Sequence, residues 1–328
     1  MSTQISLIPD SGSGQEPLVF LKDRMVPASQ ASIAIFDAGI ILGATVTDMT
    51  RTFHHKPFRL EDHVDRFYRS ARYTRIRPPF GRDRTEEISR ELVRHNTRLL
   101  PPDRELSLVH FMTAGEIASY SALPGTPTQT VPTLCIHTFP VPFEAFTHLF
   151  TEGAHVVTPS IRHYPPQCVD SKIKHRSRMH MWLADQETQQ VDPRGITLLL
   201  DLDGNVTETS GSNFAIVQDG AVVAPTSRNT LQGVTLLTVF GLCREWCSPF
   251  EVREVQVYDV MNADEALLLT TPYCLAPVTR INGAVIGDGK AGGPVFHRLM
   301  DAWSEKVGLD IIGQIMGRAT VASGAATS

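Results

Sequence analysis

The stretch Ser171-Lys172-Ile173-Lys174-His175-Arg176-Ser177-Arg178-Met179 decides how this chain is read. It sets two lysines beside two arginines, and Met181, Trp182 and Ala184 follow as apolar residues available to a core. The pattern predicts a helix over residues 174–190, opened by Lys174. Lysine is sparse in this sequence, found at Lys22, Lys56, Lys172, Lys174, Lys290 and Lys306. An amine held near other cations and apolar surface loses its proton more readily, and a free amine can form a Schiff base with an aldehyde. Read by itself, the segment is equally a solvated basic helix end.

Outward from it, two downstream segments change the reading. Val206-Thr207-Glu208-Thr209-Ser210-Gly211-Ser212-Asn213-Phe214 follows the turn Asp203-Gly204-Asn205. Its small residues let the backbone approach a flat ring, and a carboxylate beside a pyridine nitrogen keeps that nitrogen protonated. An exposed turn glutamate is the plain alternative. Leu231-Gln232-Gly233-Val234-Thr235 precedes a predicted helix over 236–246. Gly233 permits close approach, and Thr235 offers a hydroxyl and an amide at a positive helix end suited to phosphate. The alternative is an N-cap by Thr235. Leu231 packs either on a ring or in the core. Thr270-Thr271-Pro272 ends a predicted strand over 266–269, where Thr271 offers a further hydroxyl.

Upstream, Arg66 lies in His63-Val64-Asp65-Arg66-Phe67 on a predicted helix over 61–75. Its guanidinium fork suits a phosphate, while a surface pair with Glu61, Asp62 or Asp65 is the alternative. Amine, carboxylate and phosphate cradle in this order and spacing point to pyridoxal 5'-phosphate.

Bulk properties leave room for such a site. The 328 residues are 42% hydrophobic and 20% charged, as in ordinary globular proteins. A net charge of −5 and a pI near 6.2 argue against nucleic acid or an anionic membrane as partner. No apolar run is long enough to span a bilayer, and Cys135, Cys168, Cys243, Cys247 and Cys274 form no Cys-x-x-Cys pair. A cytoplasmic protein without a structural metal is expected. His54, His55, His175 and His180 read as loop and helix-surface histidines rather than ligands.

Composition shifts divide the chain. Residues 1–16 are Ser- and Gly-rich and read as a disordered segment. Residues 17–139 read as a small α+β domain, 140–150 as a linker beginning Pro140-Val141-Pro142, 151–312 as a larger domain, and 313–328 as a flexible tail. In the larger domain, Asp219-Gly220 marks a hairpin.

Together these residues resemble the class IV aminotransferases, the fold-type IV pyridoxal-phosphate enzymes. Phe36-Asp37-Ala38-Gly39 with Gly43, Phe58 to Arg66, Leu199 to Phe214, and Ala263-Asp264-Glu265-Ala266 through Thr271 to Pro277-Val278 are similar to that family's motifs. The resemblance implies a two-domain α+β fold with a mixed, barrel-like sheet in the larger domain. It implies that Lys174, rather than Lys172, carries the cofactor as a Schiff base. Glu208 would pair with the ring nitrogen and Leu231 would pack on the ring. Arg66, Gly233, Val234, Thr235 and Thr271 would hold phosphate. It further implies a homodimer that moves an amino group between an amino donor and a 2-keto acid. An aminodeoxychorismate lyase-type activity and a non-catalytic ligand-binding role stay open beside it. Members carry Phe-Glu where this chain has Thr47-Asp48, and branched-chain enzymes carry a tyrosine where it has Arg178-Met179. Thr47, Arg176 and Arg178 are the candidates for substrate contact.

Overall fold

The computed structural model describes residues 16–121, 131–226, 228–246 and 248–317. Residues 1–15 and 318–328 of the expected terminal segments, and Cys247, lie outside that set. The described residues form two compact units. The first runs to Val141 and also takes in Ile173–Ser177, and the second comprises Pro142–Lys172 with the residues from Arg178 onward.

The first unit is an antiparallel sheet of six strands. In chain order these are β1 (Leu18–Leu21), β2 (Arg24–Pro27), β3 (Thr45–Phe53), β4 (Lys56–Pro57), β5 (Leu106–Thr113) and β6 (Thr133–Pro140), arranged β2-β1-β6-β5-β3-β4. Two helices, α1 (Leu60–Thr74) and α2 (Arg82–Asn96), cover it. Leu60, Val64, Phe67 and Ala71 recur at helical spacing along α1. They meet Ile88, Leu92 and Val93 of α2 and Val46, Leu108, Met112, Leu134 and Ile136 of the strands in one core. Glu61 and Asp62 occupy the first turn of α1, where the helix dipole favours acids. Between β3 and β4, His54 and His55 both take positive φ, the backbone of a tight hairpin. The buried Glu105 carboxylate accepts both of their amides, at 2.7 and 3.1 Å.

The second unit holds a nine-stranded mixed sheet. Its strands are β7 (Ala154–Val157), β8 (Ile196–Leu200), β9 (Val206–Thr209), β10 (Asn213–Gln218), β11 (Ala221–Pro225), β12 (Phe250–Arg253), β13 (Glu265–Thr270), β14 (Cys274–Ile281) and β15 (Ala284–Val285). The order is β12-β11-β10-β13-β14-β7-β8-β9, with β15 on β14. The pairs β7–β8, β7–β14 and β11–β12 are parallel and the others antiparallel. From the end of this order β9 returns against β10 and β11, so the sheet curls. The longer helices are α3 (Met179–Val191), α4 (Val234–Glu245) and α5 (Pro294–Val307). Asp219 and Gly220 take the two positive φ values of the expected hairpin.

Four readings of the sequence are corrected here. The helix after the lysines begins at Met179, not at Lys174, because the backbone of 173–177 is bonded elsewhere. Trp182 is 60% exposed, and Met181 and Ala184 supply the buried face of α3. Glu208 lies within β9 and is buried rather than on an exposed turn. The small polar C-terminal stretch also begins later than expected. Ile311–Ile315 is a helical turn capped by Asp310, which accepts the Gly313 amide at 2.8 Å.

Candidate active site

In the first unit, α1 turns His63, Arg66 and Ser70 inward on one face. All three are buried. The Asp48 carboxylate of β3 meets them. Arg66 Nε donates to Asp48 Oδ2 and Arg66 Nη2 to Asp48 Oδ1, both at 2.8 Å. His63 Nδ1 lies 2.7 Å from the same Oδ1, and the Met49 amide donates to it at 2.8 Å. Burial alone would raise the Asp48 carboxyl. Arg66 and His63 outweigh that and hold it far below the usual carboxylate range. Burial pushes the His63 imidazole down, with the Arg66 and Lys174 charges adding to that effect against Asp48. The surface pairs open to Arg66 in the sequence go to other arginines. Asp62 meets Arg59, Asp65 meets Arg69 and Arg82, and Glu61 meets Arg90.

Lys174 belongs to this unit. Its amide donates to Ser70 Oγ at 3.2 Å, and its carbonyl accepts the Thr47 amide at 2.9 Å. The Arg176 amide donates to Thr45 Oγ1 at 3.0 Å, and the Ser177 hydroxyl donates to the Gly43 carbonyl. Ile173 anchors the segment in the core. These bonds tie the segment to α1 and β3. Lys174 is half-buried there, whereas Lys172 is exposed and pairs with Asp170 at 3.0 Å. Arg176 is exposed and lays its guanidinium over the Phe111 ring, 4.7 Å from the centroid. Thr47 is buried and its hydroxyl donates to the His110 carbonyl at 2.9 Å.

The second unit gathers the downstream candidates. Glu208 is only 7% exposed. Its Oε2 accepts the Leu231 amide at 3.2 Å and the Asn213 side-chain amide at 3.1 Å. Asn213 also donates to the Leu231 carbonyl at 2.9 Å. The carboxylate is thereby tied to the loop that opens α4. Gly233, not Thr235, is the N-cap of that helix. The first intrahelical bond runs from the Leu237 amide to the Gly233 carbonyl at 3.0 Å, so the Val234 and Thr235 amides precede the ladder. Gly233 is required by close approach: a Cβ there would stand 2.0 Å from Asn213 Oδ1. Thr271 follows β13, whose last residue, Thr270, donates to the Gly211 carbonyl of the glutamate turn at 2.8 Å. Arg178 donates to the Ser210 carbonyl of the same turn at 2.9 Å.

Sequence reasoning passed over Asp48, Asn213 and His163. The carboxylate of Asp48 was visible as half of the Thr47-Asp48 departure. Asn213 and His163 gave no signal, because their roles arise from strands and loops remote in sequence.

A family model for amino-transferase class IV matches residues 45–281. The chain belongs to that family. Among relatives, branched-chain-amino-acid aminotransferase-like protein 1 of Arabidopsis thaliana is 29% identical over 88% of this chain. The match covers 50% of that protein, so the chain spans about half its length. A D-alanine aminotransferase of Staphylococcus aureus is 24% identical over 88% of this chain and 97% of its own. The branched-chain amino acid aminotransferase of T.th., solved with pyridoxamine 5'-phosphate, is 26% identical with a TM-score of 0.78, covering 94% of this chain and 97% of that one.

Each unit of this member of the class IV family holds groups that fit the family's cofactor. The first unit offers an amine on a backbone tied down at both its amide and its carbonyl, together with a buried guanidinium. The second offers a buried, oriented carboxylate beside helix amides that precede the hydrogen-bond ladder. Among the described residues no helix is long and apolar enough to cross a membrane.

Proposed function

We propose that this class IV aminotransferase transfers an amino group between an amino acid or amine and a 2-keto acid, as a homodimer carrying pyridoxal phosphate on Lys174. The observation that carries the proposal is the Glu208 cluster. A buried carboxylate is locked by the Leu231 amide and Asn213, beside the Gly233-Val234-Thr235 opening of α4. A buried carboxylate is costly unless something cationic or hydrogen-bonding uses it, and a protonated ring nitrogen is such a partner.

Bound pyridoxal phosphate supplies an aldehyde and an electron sink. The residues of the chain supply the rest. Once an amino donor has displaced it from the cofactor, the freed Lys174 amine would take the proton from the substrate carbon and hand it to the cofactor carbon. Glu208 accepts the ring N–H. The Val234 and Thr235 amides, the Thr235 and Thr271 hydroxyls and the Arg66 guanidinium bind phosphate, and Leu231 packs on the ring. Asp48 occupies the Nε–Nη2 edge of Arg66 and fixes how that fork is presented. Arg176, exposed over Phe111, is the proposed receptor for a substrate carboxylate. Thr47 and Arg178 contribute as positioners through their bonds to His110 and Ser210.

The test is an absorbance spectrum of protein loaded with pyridoxal phosphate. Wild type and Lys172→Ala show the visible band of lysine-linked cofactor, and Lys174→Ala lacks it. A band lost only in Lys172→Ala refutes the lysine assignment. An amino donor without acceptor converts wild type stoichiometrically to the pyridoxamine form. Wild type that takes up no pyridoxal phosphate refutes the whole proposal.

A further inference from the structure

His163 lies in the loop after β7 and is 1% exposed. Its amide donates to the Leu200 carbonyl at 2.8 Å, which fixes the backbone against β8. Its Nδ1 sits 3.0 Å from the Tyr164 carbonyl, and a carbonyl can only accept, so Nδ1 carries a proton. A neutral ring of that tautomer leaves a bare lone pair on Nε2. Nε2 is buried, makes no hydrogen bond, and stands 3.7 Å from Glu208 Oε1. That is an ion contact rather than a formed hydrogen bond. A lone pair against a buried carboxylate is repulsive, whereas a second N–H is attractive. The ring environment therefore favours the doubly protonated form.

We propose that His163 is a positioning residue for Glu208, a buried imidazolium whose Nε2–H holds Oε1 while Leu231 and Asn213 hold Oε2. This rests on the reading of Glu208 as the partner of the cofactor ring. The two oxygens are then engaged by different groups, Oε2 by two hydrogen bonds and Oε1 by an ion contact. The other groups around the ring are consistent with this. Asp201 adds negative charge, and the His180 ring of α3 meets the His163 ring edge-on at 5.3 Å. The Tyr164 ring lies 4.7 Å away, with Arg178 acting on Tyr164. Burial opposes a charge on His163, but Glu208, the Tyr164 carbonyl and Asp201 outweigh it and raise the ring above the ordinary histidine range. Tyr164, pushed up to about 12 by burial and by Glu208, stays a neutral phenol beside it. Charge on the cofactor's ring nitrogen thus depends on a neighbour that itself titrates.

The test uses ¹⁵N-histidine NMR on the full chain, without and with pyridoxal phosphate. In the cofactor-free protein, both His163 nitrogens carry protons at neutral pH, and the midpoint of their titration lies above that of an ordinary histidine. Glu208→Gln keeps an acceptor for Leu231 and Asn213 but lowers that midpoint. In the loaded protein, the cofactor absorbance inflects with the His163 titration, and His163→Gln removes that inflection while still binding cofactor. A singly protonated ring at neutral pH, a midpoint indifferent to Glu208→Gln, or an inflection that survives His163→Gln overturns the proposal. Wild type that binds no pyridoxal phosphate overturns the proposed function instead, and the cofactor-free titration still decides the His163–Glu208 pair.

Discussion

Replacing Asp48 with asparagine tests the electrostatic frame of the first unit. Asparagine preserves the shape, and its Oδ1 can still accept the Met49 amide. The charge is lost, and Arg66, only 5% exposed, keeps its own. Removing one partner of a buried ion pair costs about 3–5 kcal/mol, because the survivor's charge stays desolvated. The bidentate 2.8 Å geometry places this pair near the upper part of that range. Asp65→Asn on the same helix is the control. Its carboxylate, 34% exposed, pairs with Arg69 at 3.0 Å, and an exposed pair of this kind contributes roughly 0–1 kcal/mol.

The assay must report on the right unit. Trp182, Trp246 and Trp303 all lie in the second unit, so tryptophan fluorescence would follow the wrong region. Native-state hydrogen exchange at the α1 and β3 amides reads the opening free energy directly. Asp48→Asn is expected to lower it by the larger figure and Asp65→Asn by the smaller. The pH dependence carries a sign. The Asp48 carboxyl is depressed in the fold, so its contribution is complete above the unfolded value of about 3.9 and disappears as pH falls below it. The gap between wild type and Asp48→Asn should therefore be full at neutral pH and narrow only in acid. Equal effects of Asp48→Asn and Asp65→Asn would refute the reasoning.

Two further outcomes follow from the same geometry. Gly233→Ala brings a Cβ to 2.0 Å from Asn213 Oδ1, so Asn213 must leave Glu208. Losing that bond to a charged group should weaken pyridoxal phosphate binding by about tenfold, measured by titration of the apoprotein, and an unchanged affinity would count against the role of Asn213. His110 is buried, hydrogen-bonded to Ser89 Oγ at 2.8 Å, and lowered by burial to about 4. A depressed histidine stabilises the fold above its unfolded pKa and stops doing so as pH falls. Exchange-derived stability of the first unit should therefore decline by on the order of 3 kcal/mol between about pH 6.5 and 4. His110→Gln should flatten that decline, and an unaltered slope would locate the titration in other groups.

Much of this fold was legible because its signals are local. Val64, Phe67 and Ala71 mark the inner face of α1 without help from any other element, and Asp219-Gly220 specifies its own turn. The His54-His55 hairpin was not legible, because histidine marks that backbone far more weakly than glycine and the stabilising carboxylate, Glu105, is about fifty residues away. The helix expected at Lys174 failed for a related reason. The local pattern allows a helix, but Thr45, Thr47 and Ser70 take the backbone bonds of residues 174 and 176. In the candidate site, Glu208 and Gly233 could be named from composition and spacing. Asp48 behind Arg66 and His163 behind Glu208 could not, since each pair joins separate elements.

Those two unforeseen pairs follow one electrostatic principle. Arg66 and Glu208 are the groups proposed to meet the two charged ends of the cofactor, and both are buried. Left alone, each would strongly destabilise the fold before any ligand arrived. Asp48 neutralises Arg66, and His163 stands against Glu208. The pairs differ in tightness. Asp48 grips Arg66 through two 2.8 Å bonds, which makes the guanidinium a rigid fixture. His163 stands at 3.7 Å from Glu208 Oε1, an ion contact without a formed hydrogen bond. The proposed partner, a protonated ring nitrogen, would meet a carboxylate held by hydrogen bonds at Oε2 and by an ion contact alone at Oε1. The looser pair is therefore the one where pH and substitution should register in cofactor chemistry, and the tighter pair the one where they should register in stability.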